Sequence, residues 1–304
     1  MAQSFTRRQA FKTLGLGLAG LALARFGLNE AQAITNGQLD GNAHPNVGGF
    51  VWLNNIWSPD PPPVFIGTGS LIHPRVVLSA GHGTLAIEEA VAAGVMTIDE
   101  LLISFASDAT DPATWNPISA VVTHPAYADK PEGNGNVPVV DVGVAILKEP
   151  LKHIPIVPLP PRGFLDGLKA SGQLREGDDA AKFTVVGYGV ELGDNPGHLP
   201  FPPDGLRRNA ISAFRSLHEQ WLFLDINKVH DVGGTASGDS GGPTFWLDPQ
   251  TGGPTLVAIT SRGNLSLDSK ARVDTNEVLT FLNEVIASVE AENCDQGYSK
   301  RTKT

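Results

Sequence analysis

Short β-branched runs alternate with turn residues along this chain too regularly for a helical fold. From Ile34 to about Leu159 the runs read "GGFVWL", "VFIGTGSLI", "RVVLSAG", "LLISFA", "ISAVVTH" and "VVDVGVAIL". After a Pro/Gly-rich linker, "PLPPRGFLDG", the pattern resumes with "KFTVVGYGV", "EQWLFLDI", "PTFWL" and "TLVAITS". Runs of this length and composition predict strands. The 34 glycines and 23 prolines supply the many turns that an all-β body needs. Two stretches depart from the pattern. "TLAIEEAVAAGVMTIDE", Thr84 to Glu100, has helical composition, a stop at Gly94 and a second start at Thr97 with Glu100 following in the capping position. Beyond Thr275, Val278, Phe281, Leu282, Val285, Ile286 and Val289 recur at helical spacing, which predicts an amphipathic closing helix packed on the core.

The formal net charge of −10 argues against nucleic acid as a partner, because an acidic surface repels phosphate. The N-terminus reads as a leader rather than as part of the fold. Arg7-Arg8 precede an apolar run from Leu14 to Leu28, and Ala31-Gln32-Ala33 has the small-x-small pattern of a cleavage site. The run is short and interrupted by glycines and an arginine, too weak to span a bilayer. "TRRQAFK" resembles the twin-arginine export signal of bacteria. Export to the periplasm or the medium, with cleavage after Ala33, is therefore expected. No later segment is apolar enough to cross a membrane. The single cysteine, Cys294, allows no intramolecular disulfide. That suits a chain exported after folding in a reducing compartment.

One loop, "TASGDSGGPTF", sets a lone hydroxyl, Ser240, among glycines. Such clusters are ordinarily turns. Serine becomes a nucleophile only with a base in reach, a group that fixes the tautomer of the base, and N–H donors aimed at the oxyanion. Glycines let the backbone curl to offer those donors, here Gly238 and Ser240. Gly238-Asp239-Ser240-Gly241-Gly242 formally fits the G-x-S-x-G elbow of α/β-hydrolases. That architecture needs a histidine after the serine, and the last histidine, His230, lies before it. The order His, Asp, Ser is present instead. His82 follows the run "VVLSAG", and Asp141 begins "DVGVAIL".

On these residues the chain resembles the trypsin-family (chymotrypsin-fold) serine proteases. "GTGSLIHPRVVLSAGH" resembles the family's histidine segment, and "THPAY" with "DVGVAILKEPL" its aspartate segment. "VVGYG" resembles the start of the second barrel, "ITSRG" the substrate-binding strand, and "GDSGGP" the serine motif. The resemblance implies an all-β fold of two packed antiparallel β-barrels with a C-terminal α-helix. The helical stretch after His82 stands as an insertion. The expected organisation is a leader over 1–33, a first barrel over 34–160 with His82 and Asp141, a second over 161–292 with Ser240 and the closing helix, and a polar tail over 293–304.

The resemblance also implies roles. Ser240 attacks a carbonyl, His82 carries the proton, Asp141 orients His82, and Ser261 supports Asp141. The N–H groups of Gly238 and Ser240 form the oxyanion hole. Gly234, Thr235, Ser261, Arg262 and Gly263 contact substrate. Asp239 pairs with the α-amino group of the mature chain, which cleavage after Ala33 places on Ile34. His124 in "THPAY" is structural. The reaction is hydrolysis of a protein or peptide substrate through an acyl-enzyme, with no cofactor and no metal. Trypsin-like members carry aspartate at the position of Gly234, so cleavage after lysine or arginine is not expected. Arg262 and Arg272 fall near the pocket in this alignment. The alternative, a catalytically inactive protease-like binding protein, is disfavoured because all three triad residues are present. The cysteine that usually follows the histidine is replaced by Gly83.

Overall fold

The computed structural model describes residues 37–53, 63–127, 140–177, 179–189, 203–226, 233–263 and 267–301, the stretch 293–301 as helix backbone only. The expected leader, its cleavage point and Ile34 lie outside the described residues. Among them, no helix is long and apolar enough to cross a membrane.

Twelve of the thirteen strands among the described residues form two closed six-stranded antiparallel barrels, the all-β double-barrel class expected from the sequence. The first closes in the order β2 (Val47–Trp52), β3 (Val64–His73), β4 (Val76–Ser79), β7 (Gly143–Leu147), β6 (Trp115–Thr123) and β5 (Leu101–Ser104). The second runs β8 (Lys182–Gly187), β9 (Arg208–Leu217), β10 (Trp221–Asp225), β13 (Leu267–Arg272), β12 (Pro254–Gly263) and β11 (Pro243–Leu247), and β11 returns to β8. Closure leaves neither barrel a full-length bare edge. The short β1 (Gln38–Leu39) crosses to the second barrel and pairs with Arg208 and Asn209 of β9.

Each barrel has its own apolar filling. Phe50, Leu71, Val77, Ile103, Ile118 and Leu147 pack inside the first. Phe183, Val185, Phe214, Leu222, Leu224 and Val257 pack inside the second. A third cluster joins the barrels, with Val47, Val51, Val186, Tyr188, Phe245 and Ile259. Helix α3 (Asn276–Arg301) docks on that cluster through Val278, Phe281, Leu282, Val285 and Val289, the stripe read from the sequence. It continues into the residues read as a polar tail.

Helix α1 (Gly81–Ala92) begins three residues before the helical stretch read from the sequence, and so contains His82. Thr84 N–H donates to Ala80 O, which closes the first turn there. The stop at Gly94 has φ 68°. The second start is a 3-10 turn, Ile98–Glu100, with a complete Thr97–Glu100 capping box. α1 lies on the wall of the first barrel: the Thr84 and Thr123 hydroxyls are 2.8 Å apart, and the Glu88 carboxylate accepts from Thr123. The segment read as a linker differs from expectation. From Phe164 it folds into α2 (Phe164–Ala170), because Leu165 and Leu168 reach the interior of the second barrel.

A buried polar strut ties the barrels. Arg207 is fully buried between them. Its Nε donates to Asp40 Oδ2 at 2.8 Å. Its Nη1 donates to Val47 O at 3.0 Å, Phe105 O at 2.9 Å and the Tyr188 hydroxyl at 3.1 Å, and its Nη2 to Gly41 O at 2.9 Å. Asp40 also accepts from Asn209 and from both the backbone and the ring of His44. Burial alone would raise the Asp40 carboxyl. The bonds from His44, Arg207 and Asn209 outweigh burial and hold it at about 2.

Candidate active site

Asp141 sits in the turn just before β7, held by Val142 N–H donating to Val140 O at 2.9 Å. Its carboxylate is 1% exposed and reaches α1, which begins beside it. Oδ1 accepts the His82 backbone N–H at 2.7 Å, and Oδ2 lies 2.8 Å from His82 Nδ1. An acid at a helix N-terminus meets both a bare N–H and the positive end of the dipole. The Ser261 hydroxyl, at the irregular end of β12, donates to Oδ2 as well. The ladder with β13 shifts between Thr260 and Arg262, a bulge that re-aims the side chain between them. Burial pushes the Asp141 carboxyl up, but the charge and bonds of His82 and the bond from Ser261 bring it down to about 2. At neutral pH it is a carboxylate and accepts the hydrogen bond of Nδ1–H. Nε2 of His82 is then the basic nitrogen.

Ser240 lies in a tight turn pinned from both barrels. Thr68 of β3 donates its N–H to Ser240 O at 2.9 Å and its hydroxyl to Gly238 O at 2.8 Å. On the other side, Gly241 N–H donates to Thr260 O at 2.8 Å, and Thr260 N–H to Gly242 O at 2.8 Å. Thr260 precedes Ser261, so the serine turn is hydrogen-bonded to the strand that holds Asp141. At Gly241 φ is +82°, and a Cβ there would lie 2.1 Å from Ser79 Oγ and 2.7 Å from Ala80 N. No other residue fits where the turn abuts the entry to α1. His82, Asp141 and Ser261 are thus bonded to one another, and the turn that bears Ser240 abuts the entry to α1 where the two barrels meet.

The N–H groups of Asp239 and Gly241 are satisfied by Ala236 O and Thr260 O. Among the described residues, those of Gly238 and Ser240 have no acceptor. Two alternate donors of one turn are thus unspent beside the serine hydroxyl, the requirement for receiving a developing oxyanion.

Beneath the turn, Asp239 is fully buried. It accepts Gly189 N–H on Oδ1 and Ala236 N–H on Oδ2, each at 2.8 Å. The Gly-Tyr-Gly segment exists for this contact: a Cβ at Gly187 would stand 2.0 Å from Asp239 Oδ1. Burial raises the Asp239 carboxyl to about 7 against the pull of the two N–H bonds. A group raised on folding stabilises fully below its unfolded value near 4, and that contribution is lost as pH rises through 7. A chain retaining residues 1–33 is accordingly expected to lose stability from pH 4 to above 7. Asp239→Asn should flatten that slope in thermal denaturation scans.

Gly234 and Thr235 are buried beneath the turn, and Ser261, Arg262 and Gly263 line the end of β12. Arg262 is exposed and lies over the Trp221 ring, 5.8 Å from its centroid. Arg272 is committed to structural ion pairs. It is buried against Asp274 at 2.9 Å and reaches Asp166 at 2.6 Å, bracing α2. His124 is buried, accepts Ala126 N–H on Nδ1, and meets the Phe281 ring edge-on at 4.8 Å. The sequence reading missed Asp268 and Lys270, which β13 buries beside Thr235. Their alternate spacing in "LDSKAR" on one face of a strand was the available signal.

Compared with the models of known protein families the sequence matches none, and among curated proteins it finds no match either.

Proposed function

We propose that the protein is a serine endopeptidase working through an acyl-enzyme. One observation carries this reading: a single buried carboxylate, Asp141, binds both His82 and Ser261, and the strand of Ser261 is hydrogen-bonded to the turn of Ser240. Ser240 Oγ attacks the substrate carbonyl and its proton passes to His82 Nε2. Asp141 stabilises the imidazolium. The oxyanion is received by the Gly238 and Ser240 N–H groups. His82 returns the proton to the leaving amine, and water then repeats the sequence on the acyl-enzyme. Gly234 brings no carboxylate to the pocket floor, which favours a specificity other than trypsin's.

The leader ties this activity to export. Gln38 lies one strand beyond β9 from Val186, so roughly 10 Å separates it from the end of β8 that touches Asp239. An extended chain covers about 13 Å in the four residues back to Ile34. The α-amino group freed by cleavage after Ala33 therefore has the reach to pair with Asp239, whose raised carboxyl lacks a direct counter-ion. Pairing would fix the turn that bears both oxyanion donors, and the lack of it would hold the uncut chain inactive until export.

A fluorophosphonate probe tests the reading. Mass spectrometry is expected to find a single adduct on Ser240 in the processed protein, none in Ser240→Ala and little in the uncut chain. A processed protein that stays unlabelled contradicts the assignment of nucleophile and base. A mature N-terminus other than Ile34 contradicts the activation step.

A further inference from the structure

Between the residues expected to hold substrate lies a charged cluster that the catalytic groups do not use. β13 pairs with β12 so that Asp268 stands opposite Gly263 and Lys270 opposite Thr260. Both charged side chains are fully buried. Lys270 Nζ donates to Thr235 Oγ1 at 2.8 Å and Thr260 Oγ1 at 3.1 Å, and lies 3.1 Å from Asp268 Oδ2. An ammonium has three donors, so this lysine has none left for a ligand. Asp268 Oδ2 also accepts the Thr235 N–H at 2.8 Å and hydroxyl at 3.0 Å. The other oxygen, Oδ1, is buried and has no hydrogen-bond partner among the described residues. It is turned toward Gly263, where a Cβ would lie 2.3 Å from it. At Gly234 a Cβ would lie 2.2 Å from Ile226 Cγ1, so the backbone there packs directly on an apolar side chain.

Resting on the peptidase reading, we propose that Asp268 and Lys270 set its specificity, and that the pocket takes a neutral side chain bearing an N–H donor. The side chain is the amide of asparagine or glutamine on the acyl side of the cleaved bond. Charge decides the class. Lys270 already neutralises Asp268, so a bound lysine or arginine adds an uncompensated charge beside a buried ion pair. Asp239, the other buried acid near Lys270, has its counter-ion in the proposed Ile34 α-amino group. A substrate carboxylate meets the bare Oδ1 and finds no donor. An apolar side chain leaves Oδ1 unsatisfied. An amide N–H satisfies it and brings no charge.

A peptide library cleaved by the leader-processed protein tests the pocket, with probe labelling of Ser240 run beside it. Expected is a kcat/KM at least tenfold higher after glutamine or asparagine than after glutamate, aspartate, lysine or arginine. Asp268→Asn turns an amide N–H toward Gly263 and leaves Lys270 uncompensated, so the preference should reverse toward glutamate and aspartate. Should that variant not fold, the wild-type profile decides alone. Cleavage after charged or apolar residues as fast as after amides, or labelling without cleavage after either amide, overturns the pocket assignment and leaves the peptidase reading standing. Absence of both labelling and cleavage overturns the peptidase reading and the pocket with it.

Discussion

Ser240→Ala is expected to lower kcat for peptide hydrolysis by about a million-fold, and His82→Ala by a similar factor. The expected loss is large because, in the proposed mechanism, the serine proton, the imidazole and the carboxylate act in one step, so removing any of them removes the step. Asp141→Asn should lose about 10⁴-fold. Its amide offers an N–H where His82 Nδ1 now finds an acceptor at 2.8 Å, which turns the imidazole to the wrong tautomer. None of the three should change substrate binding strongly, so KM stays close to that of the parent. Ser240 is partly exposed and anchored through its backbone, so Ser240→Ala should also melt with the parent. Stopped or long-time assays on one peptide substrate, beside thermal scans, check each value. A Ser240→Ala variant within tenfold of the parent would remove the nucleophile from this account.

Arg207→Met is expected to be the most damaging substitution for stability, at about 3–5 kcal/mol. The guanidinium is fully buried, so the loss is not softened by solvent. It strands the Asp40 carboxylate, which keeps His44 and Asn209 but loses its only fully buried cation. It also frees the carbonyls of Gly41 and Phe105 and leaves Val47 O with the Tyr188 hydroxyl but without its guanidinium donor. At this chain size the melting temperature should fall by roughly 10 °C. The pH dependence has a definite sign. Asp40 is held at about 2, below its unfolded value, so its contribution is present above pH 4 and disappears as pH falls through 2. In Arg207→Met that acid limb should move to higher pH. An unchanged melting temperature and acid limb would mean that the strut is not what ties the barrels.

Why some of this was legible in the sequence and some was not follows from where partners lie along the chain. The strands of the first barrel are written in local apolar runs, and the stripe of α3 in its own periodicity. The residues of the candidate site could be named because each sits in a short, distinctive segment. The charged interior was hidden. Arg207 and its partner Asp40 are 167 residues apart, so nothing near "LRRNA" marks one arginine as buried. β9 was passed over for the same reason, since its leading arginines look like surface. β13 reads as a polar stretch, yet Asp268, Lys270 and Arg272 all point inward: Asp268 and Lys270 neutralise each other two residues apart, and Arg272 pairs with nearby Asp274 and with Asp166, which only the fold brings near. α2 lay behind prolines, and its start depends on Leu165 N–H donating to Asp274 at 2.8 Å, across the second barrel.

The central claim is that His82 and Ser240 belong to one catalytic unit. Hydrolysis of a single peptide by His82→Ala, Ser240→Ala and the double variant measures it. If the two side chains act together, the double variant is no slower than either single one. Losses that multiply would show two independent contributions, and the shared proton transfer between the barrels would have to be abandoned.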